Sequence, residues 1–236
     1  MTSRAEQIRA LDGGEFPGHL ALPKSESGPG IVVVQEIFGV NDYIKGACER
    51  LANLGYTALA PDLYWRLGPT IAIDEKEDGG LQKAFGHVAR LDFSKAGDDA
   101  AAALVHLRGL PEVVGGQAGI LGFCLGGGIA YMVAARSDPV TCVSYYGSAV
   151  PDALGLAGQV RCPILFHFGG ADDRIPIERQ KAVKEAFAHH PGAEFHVHEG
   201  AGHAFDNHNS AVMHHARAAR EAWAQTADFL NRTLPV

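Results

Sequence analysis

One segment constrains the fold more than any other: GILGFCLGGG, from Gly119 to Gly128. The apolar run before it reads as a strand, and Leu125–Arg136 (LGGGIAYMVAAR) reads as a helix. Only Phe123 and Cys124 separate strand from helix. A reversal that tight is sterically open only if the residues two before and two after the apex lack side chains. Gly122 and Gly126 meet that condition. Cys124 then sits at the apex in a strained backbone conformation. It also faces the free N–H groups and positive dipole end of the helix, which favour thiolate over thiol. A glycine-rich phosphate turn is the competing reading. Tyr131 stands where a dinucleotide fingerprint needs its last glycine, and no Lys-Ser/Thr pair closes a phosphate loop. A purely structural turn and a redox-sensing thiol remain as alternatives.

The rest of the chain repeats the strand–helix alternation, which predicts an α/β fold with a mostly parallel sheet covered by helices on both faces. Strands are expected at 16–22, 31–36, 56–60, 119–122, 140–146, 163–169 and 194–199. The short continuous run Ile31–Glu36 (IVVVQE) fits a strand buried on both sides. Helical spacing appears at 43–54, from 81, at 98–107, 125–136, 177–189 and 212–230. Residues 63–80 read as a loop excursion. No repeat, linker or low-complexity tract divides the chain, so a single domain over residues 1–236 is expected.

A thiol nucleophile needs a base, and the base needs an orienting carboxylate. In parallel α/β sheets ligands gather beyond the carboxyl ends of the strands. The strand at 163–169 ends in GGADD, which offers Asp172, with Asp173 as the better helix-capping candidate. The last strand ends in EGAGHAF, which delivers His203. Order along the chain is then nucleophile, acid, base. The loop after 31–36 offers the backbone N–H of Ile37 to pair with that of Leu125 as an oxyanion hole. His196 and His198 share a strand face, but no carboxylate or cysteine completes a metal set, so no metal is expected. Cys48, Cys142 and Cys162 form no CxxC pair and read as buried free thiols.

The composition, 47% hydrophobic and 20% charged with a net charge of −7, is that of a globular protein. It argues against nucleic acid and anionic membranes as partners. The first residues carry no apolar targeting core, and a cytoplasmic protein is expected.

The motifs QEIFGVND, APDLYWR, GFCLGGG, YYG, FHFGGADD and GAGHAF, in this order, resemble the dienelactone hydrolase (carboxymethylenebutenolidase) family. The resemblance implies a single-domain α/β-hydrolase fold, a Cys124–Asp172–His203 triad, no cofactor, and a small-molecule ester or lactone as substrate. A monomer or small homo-oligomer is expected. A thioesterase or acyl transferase on the same site, and a non-enzymatic ligand-binding member of the fold, are the competing readings. The resemblance also places Glu36 beside the resting thiol. Family members hold a substrate carboxylate with two arginines; Leu81 and Asn207 fall at those places here, and Arg66 or Arg174 could substitute. Phe38, Trp65, Phe85, Tyr145 and Phe205 are the expected apolar pocket residues, with Asn207 beside them.

Overall fold

The computed structural model describes residues 2–236. Its strands are β1 (Thr2–Arg9), β2 (Glu15–Leu22), β3 (Gly28–Val34), β4 (Thr57–Pro61), β5 (Val113–Phe123), β6 (Cys142–Tyr145), β7 (Ile164–Gly169) and β8 (Ala193–His198). Its helices are α1 (Asp42–Asn53), α2 (Gly80–Val88), α3 (Phe93–Arg108), α4 (Leu125–Arg136), α5 (Ile177–Ala186) and α6 (Ala216–Thr233). The strands form one sheet in the order β1-β2-β4-β3-β5-β6-β7-β8. β1–β2 and β2–β4 pair antiparallel, and every later pair is parallel.

Every residue of β3, β4, β6 and β7 is buried, so both faces of the central sheet are covered. Helix α4 packs on β5, β6 and α3, and ten of its twelve residues are buried. That explains its nearly uniform apolar sequence. α1 packs against β2, β3 and β4, and Arg50 on α1 lies over the ring of Trp223 on α6. Among the described residues no helix is long and apolar enough to cross a membrane.

Register positions the site. Val34 pairs with Gly122, Phe123 with Tyr145, Tyr145 with His167, and Gly169 with His198. The carboxyl ends of β3, β5, β6, β7 and β8 are therefore nearly level, and the loops leaving them meet along one edge.

Several boundaries differ from those read in the sequence. β1 was not expected; its TSRAEQIR sequence buries only Ile8 fully, so it shows no alternating apolar pattern. β3 stops at Val34, which frees Gln35 and Glu36 for the loop. α3 starts at Phe93, where the Asp92 side chain accepts from the N–H groups of Ser94 and Lys95. α6 starts at Ala216 behind a His215 cap, leaving Val212 outside the helix and 96% exposed. The excursion at 63–80 is tied to the loop after β3 by the Ile73 N–H donating to the Phe38 carbonyl.

Candidate active site

The elbow takes the shape its glycines permit. Cys124 has φ 52° and ψ −113° and immediately precedes α4. A Cβ on Gly122 would collide with the Gly126 carbonyl, and one on Gly126 with the Val34 carbonyl. Five non-glycine residues among those described have positive φ, and three belong to this site: Cys124, Tyr146 at 37° and Ala204 at 56°. Each such backbone costs of order 1–3 kcal/mol and persists only where the surroundings impose it.

The acid and histidine loops lock together before they meet the sulfur. A Cβ on Gly169 would stand 2.5 Å from the carbonyl oxygens of Ala201 and Gly202, so glycine there lets the loops touch. The Gly170 N–H donates to the His198 carbonyl at 2.8 Å, and the Ala171 N–H to Ala201 at 2.9 Å. Asp172 is buried, and its Oδ1 accepts the N–H groups of Arg174 and Ile175 at 2.9 and 3.1 Å. Its Oδ2 lies 2.8 Å from His203 Nδ1. On the far side of the ring, His203 Nε2 lies 3.0 Å from Cys124 Sγ. Asp173 is exposed and joins no part of this row.

The electrostatics follow from the geometry. Burial works against an imidazolium at His203, but the sulfur and Asp172 outweigh it and raise its pKa to about 10. Burial also opposes charge on Asp172; His203 and the two backbone N–H groups more than compensate and hold it below its ordinary value. With both ring nitrogens protonated, Nδ1 donates to the carboxylate and Nε2 to the sulfur. The other cysteines stand apart: burial pushes the Cys48, Cys142 and Cys162 thiols up, Cys162 to about 11.

The backbone N–H groups of Ile37 and Leu125 have no hydrogen-bond partner among the described residues. Tyr64 fixes the first loop by donating its hydroxyl to the Ile37 carbonyl at 2.8 Å.

Glu36 is buried beside this loop but does not hold the thiol. Its Oε2 accepts from Asn207 Nδ2 at 2.7 Å, and Asn207 Nδ2 also reaches Glu75 at 2.9 Å. Asn41 donates to the same Glu75 oxygen at 2.9 Å. Glu36 Oε1 is buried without a partner. Burial raises the Glu36 pKa to about 7, against the pull of Asn207 and the charge on His203. The wall that meets Asn207 is thus acidic.

Among the expected pocket residues, Phe38 and Phe205 are buried near the site, and Phe205 packs against Tyr146 at 5.1 Å. Phe85 is exposed on α2, with the Arg174 guanidinium 5.3 Å from its ring. Trp65 and Tyr145 are displaced from the expected position. Trp65 stacks on Phe16 at 5.4 Å and donates its indole N–H to Asp99, toward the β1–β2 hairpin. Tyr145, the last residue of β6, points to Thr226, hydroxyl to hydroxyl at 2.6 Å. In each case the neighbour in sequence faces the site: Tyr64 beside the Ile37 loop, and Tyr146 with its ring 5.3 Å from that of His203. Arg66 is paired with Asp12 and Asp99, on the side of the β1–β2 hairpin with Trp65. Among the described residues no group of three His, Cys, Asp or Glu side chains converges for a metal ion.

The dienelactone hydrolase family model matches residues 16–234. The chain belongs to the dienelactone hydrolase family. It is 35% identical to the carboxymethylenebutenolidase of Pseudomonas sp. (strain P51), covering all of this chain and 98% of that protein. A crystal structure of a candidate dienelactone hydrolase from Klebsiella pneumoniae subsp. pneumoniae MGH 78578 superposes with a TM-score of 0.84 at 27% identity, covering 98% of this chain and 100% of that one. A dienelactone hydrolase-like promiscuous phosphotriesterase from metagenomic libraries gives 0.79 at 26% identity, with 99% and 100% covered. The protein is accordingly an α/β-hydrolase acting on ester or lactone bonds.

Proposed function

We propose that this dienelactone hydrolase family member cleaves its ester or lactone through a thioester on Cys124. The observation that carries the reading is the unbroken row from sulfur to imidazole to carboxylate, with gaps of 3.0 and 2.8 Å. The Cys124 sulfur, its proton held by His203, attacks the carbonyl carbon and forms the C–S bond. The Ile37 and Leu125 N–H groups receive the oxyanion. The C–O bond to the alcohol breaks as His203 Nε2 returns its proton to the leaving oxygen. Water, deprotonated by His203, then attacks the thioester; the C–S bond breaks, releasing the acid and restoring the sulfur. Asp172 keeps the ring oriented and its charge tolerated throughout.

The Glu36 and Glu75 carboxyls that flank Asn207 support an uncharged acyl group as the preferred substrate. An arginine at 207 would meet two carboxylates before it met a substrate, so Asn207→Arg is expected to add little activity on carboxylated lactones.

Cys124→Ala tests the assignment. Hydrolysis of a 4-nitrophenyl ester is expected to fall by about 10⁴-fold or more with the melting temperature retained. Near-normal hydrolysis by that variant would remove Cys124 from the mechanism.

A further inference from the structure

Tyr146 follows β6 immediately and turns with φ 37°, a backbone that a bulky L-residue avoids and glycine takes freely. The turn presses on the start of α4: a Cβ on Gly127 would stand 2.7 Å from the Tyr145 carbonyl oxygen and 2.9 Å from Gly147 Cα. Crowding explains the left-handed turn but not why a tyrosine occupies it. The side chain supplies that reason.

The Tyr146 ring is fully buried and meets the His203 ring edge-on, 5.3 Å between centroids at 61°. Its hydroxyl oxygen lies 3.2 Å from that of Tyr43 on α1. Tyr43 gives its single proton to Asp206 Oδ2 at 2.8 Å, so any proton between the two tyrosines comes from Tyr146, whose hydroxyl also faces the buried Glu36 carboxyl. Arg50 on α1 holds both oxygens of Asp206, at 2.7 and 3.2 Å. Asp206 lies three residues beyond His203 on the same loop. The ring that flanks the imidazole is thus tied by its hydroxyl to a half-buried ion pair clamping the imidazole's own loop.

We propose that Tyr146 is a positioning residue for His203, holding Nε2 on the Cys124 sulfur through a ring contact anchored by the Tyr43–Asp206–Arg50 chain. The proposal rests on His203 being the base. Its effect is on the pairing of two catalytic groups, so it should appear in kcat and in thiol reactivity rather than in substrate binding.

Two variants test it: Tyr146→Phe, which keeps the ring and removes the anchor, and Tyr43→Phe, which removes the acceptor from outside the site. Each is measured for kcat and KM on a 4-nitrophenyl ester, for the rate of Cys124 alkylation by iodoacetamide, and for melting temperature. A misplacement of about 1 Å costs up to ~10²-fold in rate, and loss of one anchor is expected to lower kcat and alkylation by about 5–10-fold with KM unchanged. Should Tyr146→Phe fail to fold, Tyr43→Phe carries the test. Rates within about twofold of the parent, or a rise in KM at constant kcat, overturn the proposal. His203→Ala separates the two readings. If it stays active, the base assignment fails. If it is dead while Tyr146→Phe is normal, only the positioning role falls.

Discussion

Two histidines five residues apart, His198 and His203, show how little residue type decides about charge. His198 closes β8 and is buried against His167, with its Nε2 3.1 Å from His167 Nδ1. Burial, reinforced by the neighbouring His196, lowers its pKa to about 4. His203 is also buried, yet its pKa rises to about 10 because it stands between a sulfur and a carboxylate. The same strand end thus supplies a histidine kept neutral and one kept charged. What differs is the anion brought by another loop, which is what makes one a candidate base and the other part of the core.

The largest expected break in this contrast removes the charged histidine or its carboxylate. His203→Ala should lower ester hydrolysis by about 10⁴-fold, and Asp172→Asn by roughly 10²–10⁴-fold, in steady-state assays at neutral pH. If Asp172→Asn were silent, the elevated charge of His203 would owe nothing to its carboxylate.

Removing the sulfur should move His203 toward the behaviour of His198. In Cys124→Ala the burial cost remains and one stabilising partner is lost, so the imidazole should titrate at least about one pH unit lower in an NMR titration. An unchanged titration would show that the sulfur contributes nothing to the ring's charge.

Stability against pH should separate the pair in opposite directions. The folded pKa of His198 lies below its unfolded value of 6.5, so the unfolded chain binds that proton more readily. Its contribution is complete above about pH 6.5 and is lost as pH falls toward 4, by at most about 3 kcal/mol. His203, raised above 6.5, contributes fully below that pH and loses its contribution as pH climbs through about 10. Denaturant titrations of His198→Gln should therefore show a flatter acid limb than the parent, with the alkaline limb unchanged. Identical acid limbs would remove His198 from the acid sensitivity.

The smallest expected effect concerns the rim. Arg174→Ala should change hydrolysis of neutral esters by less than about threefold, since the guanidinium lies over Phe85 and only its backbone N–H serves Asp172. A selective loss on carboxylated esters would show that this arginine reads a substrate anion.

What could be read from the sequence follows the same division between backbone rules and side-chain partners. The elbow was legible because sterics allow few sequences at such a turn, and the buried strands because they are continuous apolar runs. Asp172 and His203 could be placed because glycines mark both loop ends. β1 was not legible, since an edge strand with one fully buried side chain carries no periodic signal. Tyr64 and Tyr146 were not legible as site residues: Tyr64 lies in the irregular loop three residues past β4, and the facing of Tyr146, one residue past β6, depends on its φ. The positive φ of Tyr146 leaves no compositional trace beyond the glycine that follows it. The hold of Asn207 on Glu36 joins residues 171 positions apart and depends on loop packing alone.

The central claim is covalent, and mass spectrometry tests it most directly. Mixing the protein with a slowly deacylated activated ester and quenching at acid pH should give one acyl increment, carried by the peptide containing Cys124. It should be absent from Cys124→Ala and accumulate no faster than nitrophenolate is released. Turnover with no adduct on Cys124, or with the acyl group on another residue, would contradict the account.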